Sequence, residues 1–392
     1  MKYDKFIISS LVLAAAAITA EACTSWVITP GSSESGRMIL HKCRDNNHTK
    51  LDADMVTIEK GFRVMRIGAD ERTLFGLNEK GVAFTTNNGN PLIKRKGKSA
   101  DPQDINPRRM LQECATAEEA VAWVRKYCLE NRGRNPGGIY YLVDPAHAFM
   151  MDVGDGYFES FGFTSGVSVV ANSMHLPGIE EATTQALRRI RVQRAREANT
   201  RAALAARKVD GKYTLRGTRE TSRLSADTSI LEKILPFRSG SISAVTFEID
   251  PEFPEFLSCA YIALGPQRQS VYLPTPMALA QFPEKIRSGE WGDRSMRIFK
   301  TIGYADYDGL NDIERLEDAI IAEFSAAREA ARKLLREGKR DEAVKLLNDT
   351  YMRHYRQADK LLDELEARFC KEKPQAPKAK KNKKAKAKKS KK

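Results

Sequence analysis

The sequence contains few of the residues that build metal sites and disulfide scaffolds. It has six cysteines and five histidines in 392 residues. Cys114 and Cys128 lie fourteen residues apart, and no cysteines have the close paired spacing of a zinc site. We therefore predict no metal and no cofactor. The cysteine content is also too low for a small disulfide-rich fold.

Long hydrophobic runs are absent apart from one near the start. Residues 6–20 form a mostly apolar run that follows Lys2 and Lys5 and ends in Ala20-Glu21-Ala22. This run is shorter than the roughly 20 residues of a membrane span and has the charged start and small-residue end of a secretory signal. We predict that residues 1–22 are a cleaved signal peptide and that the mature protein is secreted or periplasmic.

Net positive charge is small outside one segment. The tail 371–392 carries +11 of the net charge of +14, which leaves +3 for the remainder and excludes an extended basic surface there. The tail is predicted to be disordered and lacks aromatic residues, so no specific nucleic acid is expected as a partner. It either attaches the protein to an anionic cell-surface polymer or membrane, or is simply solvated.

Three interpretations compete for Cys23, which cleavage after Ala22 would make the first residue. A lipid-anchor site usually has Leu three positions before the cysteine, where this chain has Ala20, and Glu21 adds an unfavourable charge. A structural or disulfide cysteine is the second interpretation. The third is an N-terminal nucleophile, because an α-amine of pKa about 7.7–8.0 can accept the proton of a thiol of pKa about 8.5.

The residues after Cys23 predict a β-hairpin that ends beside the thiol. "TSWVIT" and "MILHKC" are strand-like runs on either side of a loop rich in turn-forming residues, "PGSSESGR". Pairing of Thr29 with Met38 places Cys23 opposite Arg44 in an antiparallel register. Arg44 and Asp45 would then lie within reach of the thiol and the amine.

Three segments carry a resemblance to a known family: "ACTSWVITPGSSESGRMILHKCRDNN", "LFGLNEKGVAFTTNNGNP" and "GVSVVANSMHLPG". Together they resemble the choloylglycine hydrolase and isopenicillin N acyltransferase group over roughly residues 23–280. Members of this group are N-terminal nucleophile (Ntn) hydrolases that act on linear amides. The aspartate follows the arginine directly here, as in the acyltransferase-like branch, which weakens a bile-salt assignment.

The resemblance implies a set of catalytic residues. Cys23 matches the nucleophile, Arg44 the arginine beside it, and Asp45 the aspartate that orients the amine and substrate. Asn88 and Asn172 match the two asparagines that donate to the oxyanion. A later substrate-binding arginine of the family corresponds to one of two residues in the run "TTQALRRIRVQRAREA", Arg188 or Arg191, unless that run is only the solvated face of a helix.

The order of elements fits an α+β protein, and the resemblance implies a four-layer α/β/β/α sandwich over residues 23–305. Helices are expected from Thr116, over about 181–207 and over about 227–235, with a turn at 78–81. The helical spacing of apolar residues over 306–370 predicts a helical hairpin that is broken near Gly338.

The expected function is that of a secreted N-terminal-cysteine hydrolase, with a small-molecule amide as substrate and a thioester on Cys23 as intermediate. Acyl transfer uses the same mechanism with another acceptor. One alternative is an N-terminal-cysteine dipeptidase. The other is a non-enzymatic, lipid-anchored surface protein that binds a partner through its helical arm and lysine tail.

Overall fold

The structure, a computed structural model, describes residues 23–45, 51–69, 72–89, 106–130, 138–154, 157–177, 187–205, 241–303 and 307–370. The strands are β1 Thr24–Ile28, β2 Met38–Asp45, β3 Asp52–Val56, β4 Val64–Ala69, β5 Arg72–Asn78, β6 Ala83–Asn88, β7 Gly138–Val143, β8 Ala148–Gly154, β9 Tyr157–Phe163, β10 Val167–Val170, β11 Ser241–Ile249, β12 Cys259–Leu264 and β13 Leu273–Pro276. The helices are α1 Pro107–Glu113, α2 Ala117–Glu130, α3 Leu187–Ala205, α4 Pro254–Leu257, α5 Glu284–Arg287, α6 Glu290–Ile302, α7 Gly309–Arg336 and α8 Arg340–Phe369.

The strands form two antiparallel sheets. Sheet 1 has the order β10-β1-β2-β11-β12-β13, and sheet 2 runs β3-β4-β5-β6-β7-β8-β9 in sequence order. Sheet 1 therefore places β2 beside β11, about 200 residues later, with β1 on the other side of β2. This long-range pairing brings the segment around Cys23 into the centre of the molecule.

Packing of the sheets produces four layers. The central core lies between the sheets and joins apolar side chains such as Val27, Phe247, Met65 and Phe75. The outer face of sheet 2 packs on α1 and α2. The outer face of sheet 1 packs on α3 at one end and on α7 and α8 at the other. The predicted α+β sandwich with a C-terminal helical extension is confirmed.

The first hairpin has the predicted register. Thr24 pairs with Cys43 and Ile28 pairs with Ile39, the offset at which Cys23 falls opposite Arg44. Because side chains alternate along a strand, Val27 points into the core between the sheets while its neighbours Trp26 and Ile28 pack beneath α3. By this alternation, the side chains of Cys23 and Ser25 point to the same face of the sheet as Val27.

The turn at Asn78–Gly81 forms as expected. The Asn78 side-chain oxygen accepts from the backbone N–H groups of Lys80 and Val82, at 3.0 and 2.9 Å. Gly81 has a φ of +84°, where a side chain would be strained. This turn fixes where β6 begins, and β6 carries two asparagines to the centre of the molecule at its far end.

Helix α2 begins at the predicted cap. The Thr116 hydroxyl accepts from the N–H of Glu119 at 3.1 Å, and the Glu119 carboxylate accepts from the N–H of Ala115 at 2.6 Å. This reciprocal arrangement resembles a capping box shifted by one residue.

The helical hairpin also forms as expected. It turns at Gly338, which has a φ of +77°. Its helices do not stand apart from the sheets, because Phe324 of α7 and Leu347 of α8 pack against sheet 1. No helix within the described ranges is long and apolar enough to cross a membrane.

Some expectations lie outside the described residues. These are the signal peptide 1–22, the helix at 227–235 and the lysine tail 371–392. The predicted helix at 181–207 is described as α3, from Leu187 to Ala205. The boundary between a domain 23–305 and an extension 306–370 stays a prediction.

Candidate active site

Cys23 lies buried at the start of β1, with 4 % of its surface exposed. None of the six cysteines is in a disulfide, so the disulfide interpretation of Cys23 is not supported. Lys42 of β2 pairs with Ser25 and has no exposed surface. The alternation of side chains puts Cys23, Ser25 and Lys42 on the face of sheet 1 that looks toward sheet 2.

A hydrogen-bonded network beside the thiol connects the two sheets. The Lys42 ammonium group donates to the side-chain oxygen of Asn87 in β6, and the Cys23 sulfur is close enough to act on the pKa of Lys42. The Ser25 hydroxyl donates to the same Asn87 oxygen at 2.6 Å. Two strands of sheet 1 and one of sheet 2 therefore hold a single cluster of polar groups.

The electrostatics of this cluster are unusual for a protein interior. Burial lowers the pKa of Lys42, and the positive charge of Arg44 adds to that effect, while the Cys23 sulfur opposes it. Within the described residues, no carboxylate forms an ion pair with Lys42. A buried lysine with this environment can hold a thiolate beside it, because the anion compensates its charge.

Asn87 also organises the chain that follows β10. Its amide nitrogen donates to the carbonyl oxygens of Val170 and Ala171, at 3.2 and 2.6 Å. One residue later, the side-chain nitrogen of Asn172 donates to the backbone oxygen of Asn88 at 2.8 Å. Asn172 thus contacts the Asn88 backbone next to the Cys23 network, whereas alternation along β6 puts the Asn88 side chain on the face opposite that of Asn87.

Arg44 and Asp45 lie at the same end of β2. Arg44 is buried, with 8 % exposure, and is close enough for its charge to lower the pKa of Lys42. The Asp45 carboxylate accepts from the Ser241 hydroxyl of β11 at 2.5 Å. Ser241 also contacts Cys43, so Asp45 lies on the side of β2 that carries Cys43.

Two other reactive residue types on β2 are held in unreactive forms. Burial and the charge of Lys42 lower the pKa of His41 well below its usual value. Its ring stacks on Trp26, with centroids 3.8 Å apart, on the opposite face of the strand. Burial, with the charge of Asp45, raises the pKa of Cys43 to about 12. His41 is therefore neutral and Cys43 a thiol near neutral pH.

The assignment of Arg188 or Arg191 to substrate binding stays a prediction. Arg191 is exposed on α3, and the side chain of Arg188 is outside the described part of the chain. The buried polar residues of this helix include Arg196 and Glu197 instead. The interpretation of the basic run as a partly solvated helix face fits Arg191.

Lys42, Asn87 and Ser25 are site residues that the sequence analysis missed. The predicted hairpin register already placed Lys42 opposite Ser25, so alternation along β1 and β2 could have identified both. The choice between Asn87 and its neighbour Asn88 had no such indication, because apolar residues precede them on both faces of β6.

One group of possible metal ligands occurs among the described residues: Glu118, Asp144 and His147. The Asp144 carboxylate already accepts backbone N–H groups from Ala117, Ala146 and His147, at 2.8–2.9 Å. His147 also lies 3.0 Å from Glu118. These contacts account for the group as a cap at the start of α2.

No family model and no curated protein matches the sequence. Among solved structures, penicillin V acylase from Agrobacterium tumefaciens is similar with 13 % identity over 62 % of this chain and 83 % of its own, at a TM-score of 0.40. An N-acylethanolamine-hydrolyzing acid amidase ortholog from Caenorhabditis elegans is similar with 12 % identity over 59 % of this chain and 95 % of its own, at a TM-score of 0.36.

A mutant conjugated bile acid hydrolase from Clostridium perfringens is similar with 14 % identity, at a TM-score of 0.29. The similarity covers 39 % of this chain and 54 % of that enzyme, about half of its length. The matched enzymes are Ntn hydrolases of the choloylglycine hydrolase type, the group that the sequence motifs resemble.

Proposed function

We propose that the protein is an N-terminal-cysteine hydrolase that cleaves a linear amide through a thioester on Cys23. One observation carries the proposal: the buried Cys23 sulfur lies on the same face of sheet 1 as the buried Lys42, whose charge has no carboxylate partner among the described residues. A buried, uncompensated cation costs stability, and a role in holding an anionic nucleophile accounts for it.

The burial of Cys23 favours a nucleophile over a lipid anchor. A diacylglyceryl group on this sulfur would have to occupy the space between the sheets, where Lys42 and Ser25 lie. It would also remove the thiol that acts on the pKa of Lys42. The non-enzymatic, lipid-anchored alternative therefore requires the start of β1 to unpack.

The first half of the reaction forms the thioester. After removal of residues 1–22, the α-amine of Cys23 accepts the thiol proton, because its pKa is close to that of the thiol. Lys42 stabilises the thiolate, which attacks the amide carbonyl carbon. Asn172, whose side-chain nitrogen contacts the backbone of Asn88 at this end of the site, donates to the oxygen that becomes negative.

The second half releases the two products. The α-ammonium group donates its proton to the amide nitrogen, the C–N bond breaks, and the free amine leaves. The α-amine then accepts a proton from water, whose oxygen attacks the thioester carbonyl and frees the acid and the thiol. A second amine in place of water gives acyl transfer, and a substrate with a free α-amine gives dipeptidase activity.

The experiment begins with intact mass and N-terminal sequencing of the exported protein, which we expect to start at an unmodified Cys23. Hydrolysis is then measured with N-acyl amino acids, N-acylethanolamines, dipeptides, bile-acid conjugates and penicillin V. Product amines are quantified with and without an added acceptor amine. This comparison separates hydrolysis from transfer.

Matched variants identify the nucleophile. Cys23→Ala should abolish cleavage, whereas Cys370→Ala, which removes a partly exposed thiol at the end of α8, should leave it unchanged. Iodoacetamide should label Cys23 and leave Cys43 unlabelled in the folded protein. A diacylglyceryl mass on Cys23, or cleavage that survives Cys23→Ala, would refute the proposal.

A further inference from the structure

A second buried polar cluster lies behind the site and centres on Glu197 of α3. The carboxylate is 3 % exposed and accepts from the backbone N–H of Ala171 at 2.8 Å. Its other oxygen lies 3.0 Å from the imidazole Nε2 of His175 and 3.4 Å from a guanidinium nitrogen of Arg194. Arg194 also donates to the carbonyl oxygen of Met174 at 2.9 Å. Helix α3 thus contacts residues 171–175 at three points, which are the Ala171 N–H, the Met174 carbonyl oxygen and the His175 imidazole.

The Ala171 peptide group connects this cluster to the site. Its carbonyl oxygen accepts from Asn87 at 2.6 Å, and its N–H donates to Glu197. Asn87 in turn accepts the hydrogen bonds of Ser25 and Lys42. A chain of direct contacts therefore runs from the Glu197 carboxylate to the cation beside Cys23.

A second carboxylate holds the other end of the same segment. Asp152 of β8 has no exposed surface, and one of its oxygens accepts from the N–H groups of His175 and Leu176. The segment that carries Asn172 is therefore fixed from sheet 2 by Asp152 and from the outer helix by Glu197. Neither carboxylate takes part in the chemistry derived above.

We propose that Glu197 is a positioning residue for the amide-cleaving site: through the Ala171 peptide it fixes the Asn87 carboxamide beside Lys42, and through His175 it fixes the segment that bears Asn172. This inference rests on the proposed function. Glu197 does not touch the reacting atoms. It maintains the geometry on which a thiolate and an oxyanion depend, and a displacement of about 1 Å in such a site can cost about 100-fold in rate.

The test compares Glu197→Ala with Asn199→Ala, an exposed residue on the same helix. We expect Glu197→Ala to lower kcat by about 10- to 100-fold with little change in KM, because a misplaced oxyanion donor weakens the transition state more than substrate binding. The rate of Cys23 alkylation by iodoacetamide should fall about threefold or more, since Lys42 loses its fixed partner. Asn199→Ala should change neither.

Two further variants separate positioning from general loss of structure. Glu197→Gln keeps an acceptor for the Ala171 N–H and should recover most of kcat. His175→Gln keeps a polar group near the Nε2 position and should be less impaired than His175→Ala. Unfolding of every variant is measured by circular dichroism, and rates are taken only on folded protein.

The outcomes are distinct for the two proposals. If wild type cleaves no amide in a Cys23-dependent manner, the proposed function fails, and the alkylation rates still test the contact chain. If Glu197→Ala alkylates and turns over like Asn199→Ala, Glu197 is not a positioning residue. Equal losses in Glu197→Ala and Glu197→Gln would also overturn the inference, because the acceptor to Ala171 would then be irrelevant.

Discussion

Sheet 1 contains two clusters of buried charge that are built in opposite ways. In the first, which we term the docking cluster, Glu248 of β11 and Asp250 just after that strand face Arg328 and Arg332 of α7, with Arg37 from the first hairpin loop. Arg328 lies 2.6 Å from Glu248, and Arg332 lies 2.5 Å from Asp250. In the second, Lys42 and Arg44 of β2 face a thiol and neutral amides.

The difference indicates what each cluster does. Paired, hydrogen-bonded charges satisfy one another, so the docking cluster fixes the helical hairpin on the sheet without reactivity. In the Cys23 cluster, the positive charge has no carboxylate partner among the described residues. An anion that forms there is therefore stabilised electrostatically more than an anion formed elsewhere. The first arrangement stabilises the fold, and under the proposed function the second stabilises the anion that forms during the reaction.

Removal of one partner should damage the docking cluster most. Arg328→Met leaves Glu248 buried beside Tyr261 and Cys259 without its closest cation, and we expect a loss of about 3–5 kcal/mol in unfolding free energy. Urea denaturation measures it. Arg356→Met, an exposed arginine on α8, is the control and should change stability by less than about 0.5 kcal/mol. A loss of under 1 kcal/mol for Arg328→Met would show that the pairing is not needed.

The same substitution at the site should have the reverse effect. Lys42→Met removes a buried cation, while Asn87 keeps its hydrogen bond from Ser25, so stability should stay the same or rise by up to about 4 kcal/mol. Amide cleavage and Cys23 alkylation should fall by about 100-fold, because the thiolate loses its counter-charge. The measurements are urea denaturation and iodoacetamide kinetics.

Lys42→Arg provides the charge control for this prediction. It keeps the positive charge and changes only its shape, so it should recover part of the alkylation rate. If Lys42→Met instead destabilises the protein as strongly as Arg328→Met, both clusters stabilise the fold. The proposed difference between them would then be wrong.

The sequence predicted the strand register and the turns around the site better than the side-chain contacts within it. The loop "PGSSESGR" was enough to set the register of β1 and β2, because turn residues on either side of strand-like runs limit the pairing. The turn at Asn78 and the break at Gly338 followed from residues that adopt special backbone angles. Such features depend on neighbours in the chain, which a sequence displays.

The contacts within the site depend on residues far apart in the chain. The Lys42 side chain meets Asn87 because β2 and β6 belong to different sheets that pack face to face. Both sheets are covered on both faces, so polar and apolar residues do not alternate along β6, and nothing local distinguishes Asn87 from Asn88. The sequence analysis missed Glu197 for a related reason, because the basic residues around it suggested a solvent-exposed helix.

Acid should weaken the docking cluster selectively. Burial acts to raise the pKa of Asp250, but hydrogen bonds from Arg332 and the Phe253 N–H, with the charge of Arg328, lower it below its usual value. The folded carboxyl therefore binds a proton less readily than the unfolded one. Its contribution is complete above pH about 4 and is lost as the pH falls toward the lowered pKa.

Denaturation of wild type and Asp250→Asn between pH 2 and 6 measures this contribution. We expect the difference in unfolding free energy between the two proteins to shrink by roughly 1–3 kcal/mol toward the acid end. A constant difference over this range would mean that the Asp250 charge is not what holds α7.

The site should respond to pH in the same direction, but in an alkaline window and by less. Burial lowers the pKa of Lys42, so between that lowered value and about 10.4 the unfolded chain holds a proton that the folded chain has released. The contribution of this position to the unfolding free energy therefore rises with pH through that window, by about 1.4 kcal/mol for each pKa unit of lowering. With and without Lys42→Met, both in a Cys23→Ala background, the difference in unfolding free energy between pH 6 and pH 9.5 isolates the effect, because the remaining groups titrate alike in the two proteins. A difference that is flat or falls with pH would mean that Lys42 stays charged at little cost, and the site would then be as well compensated as the docking cluster.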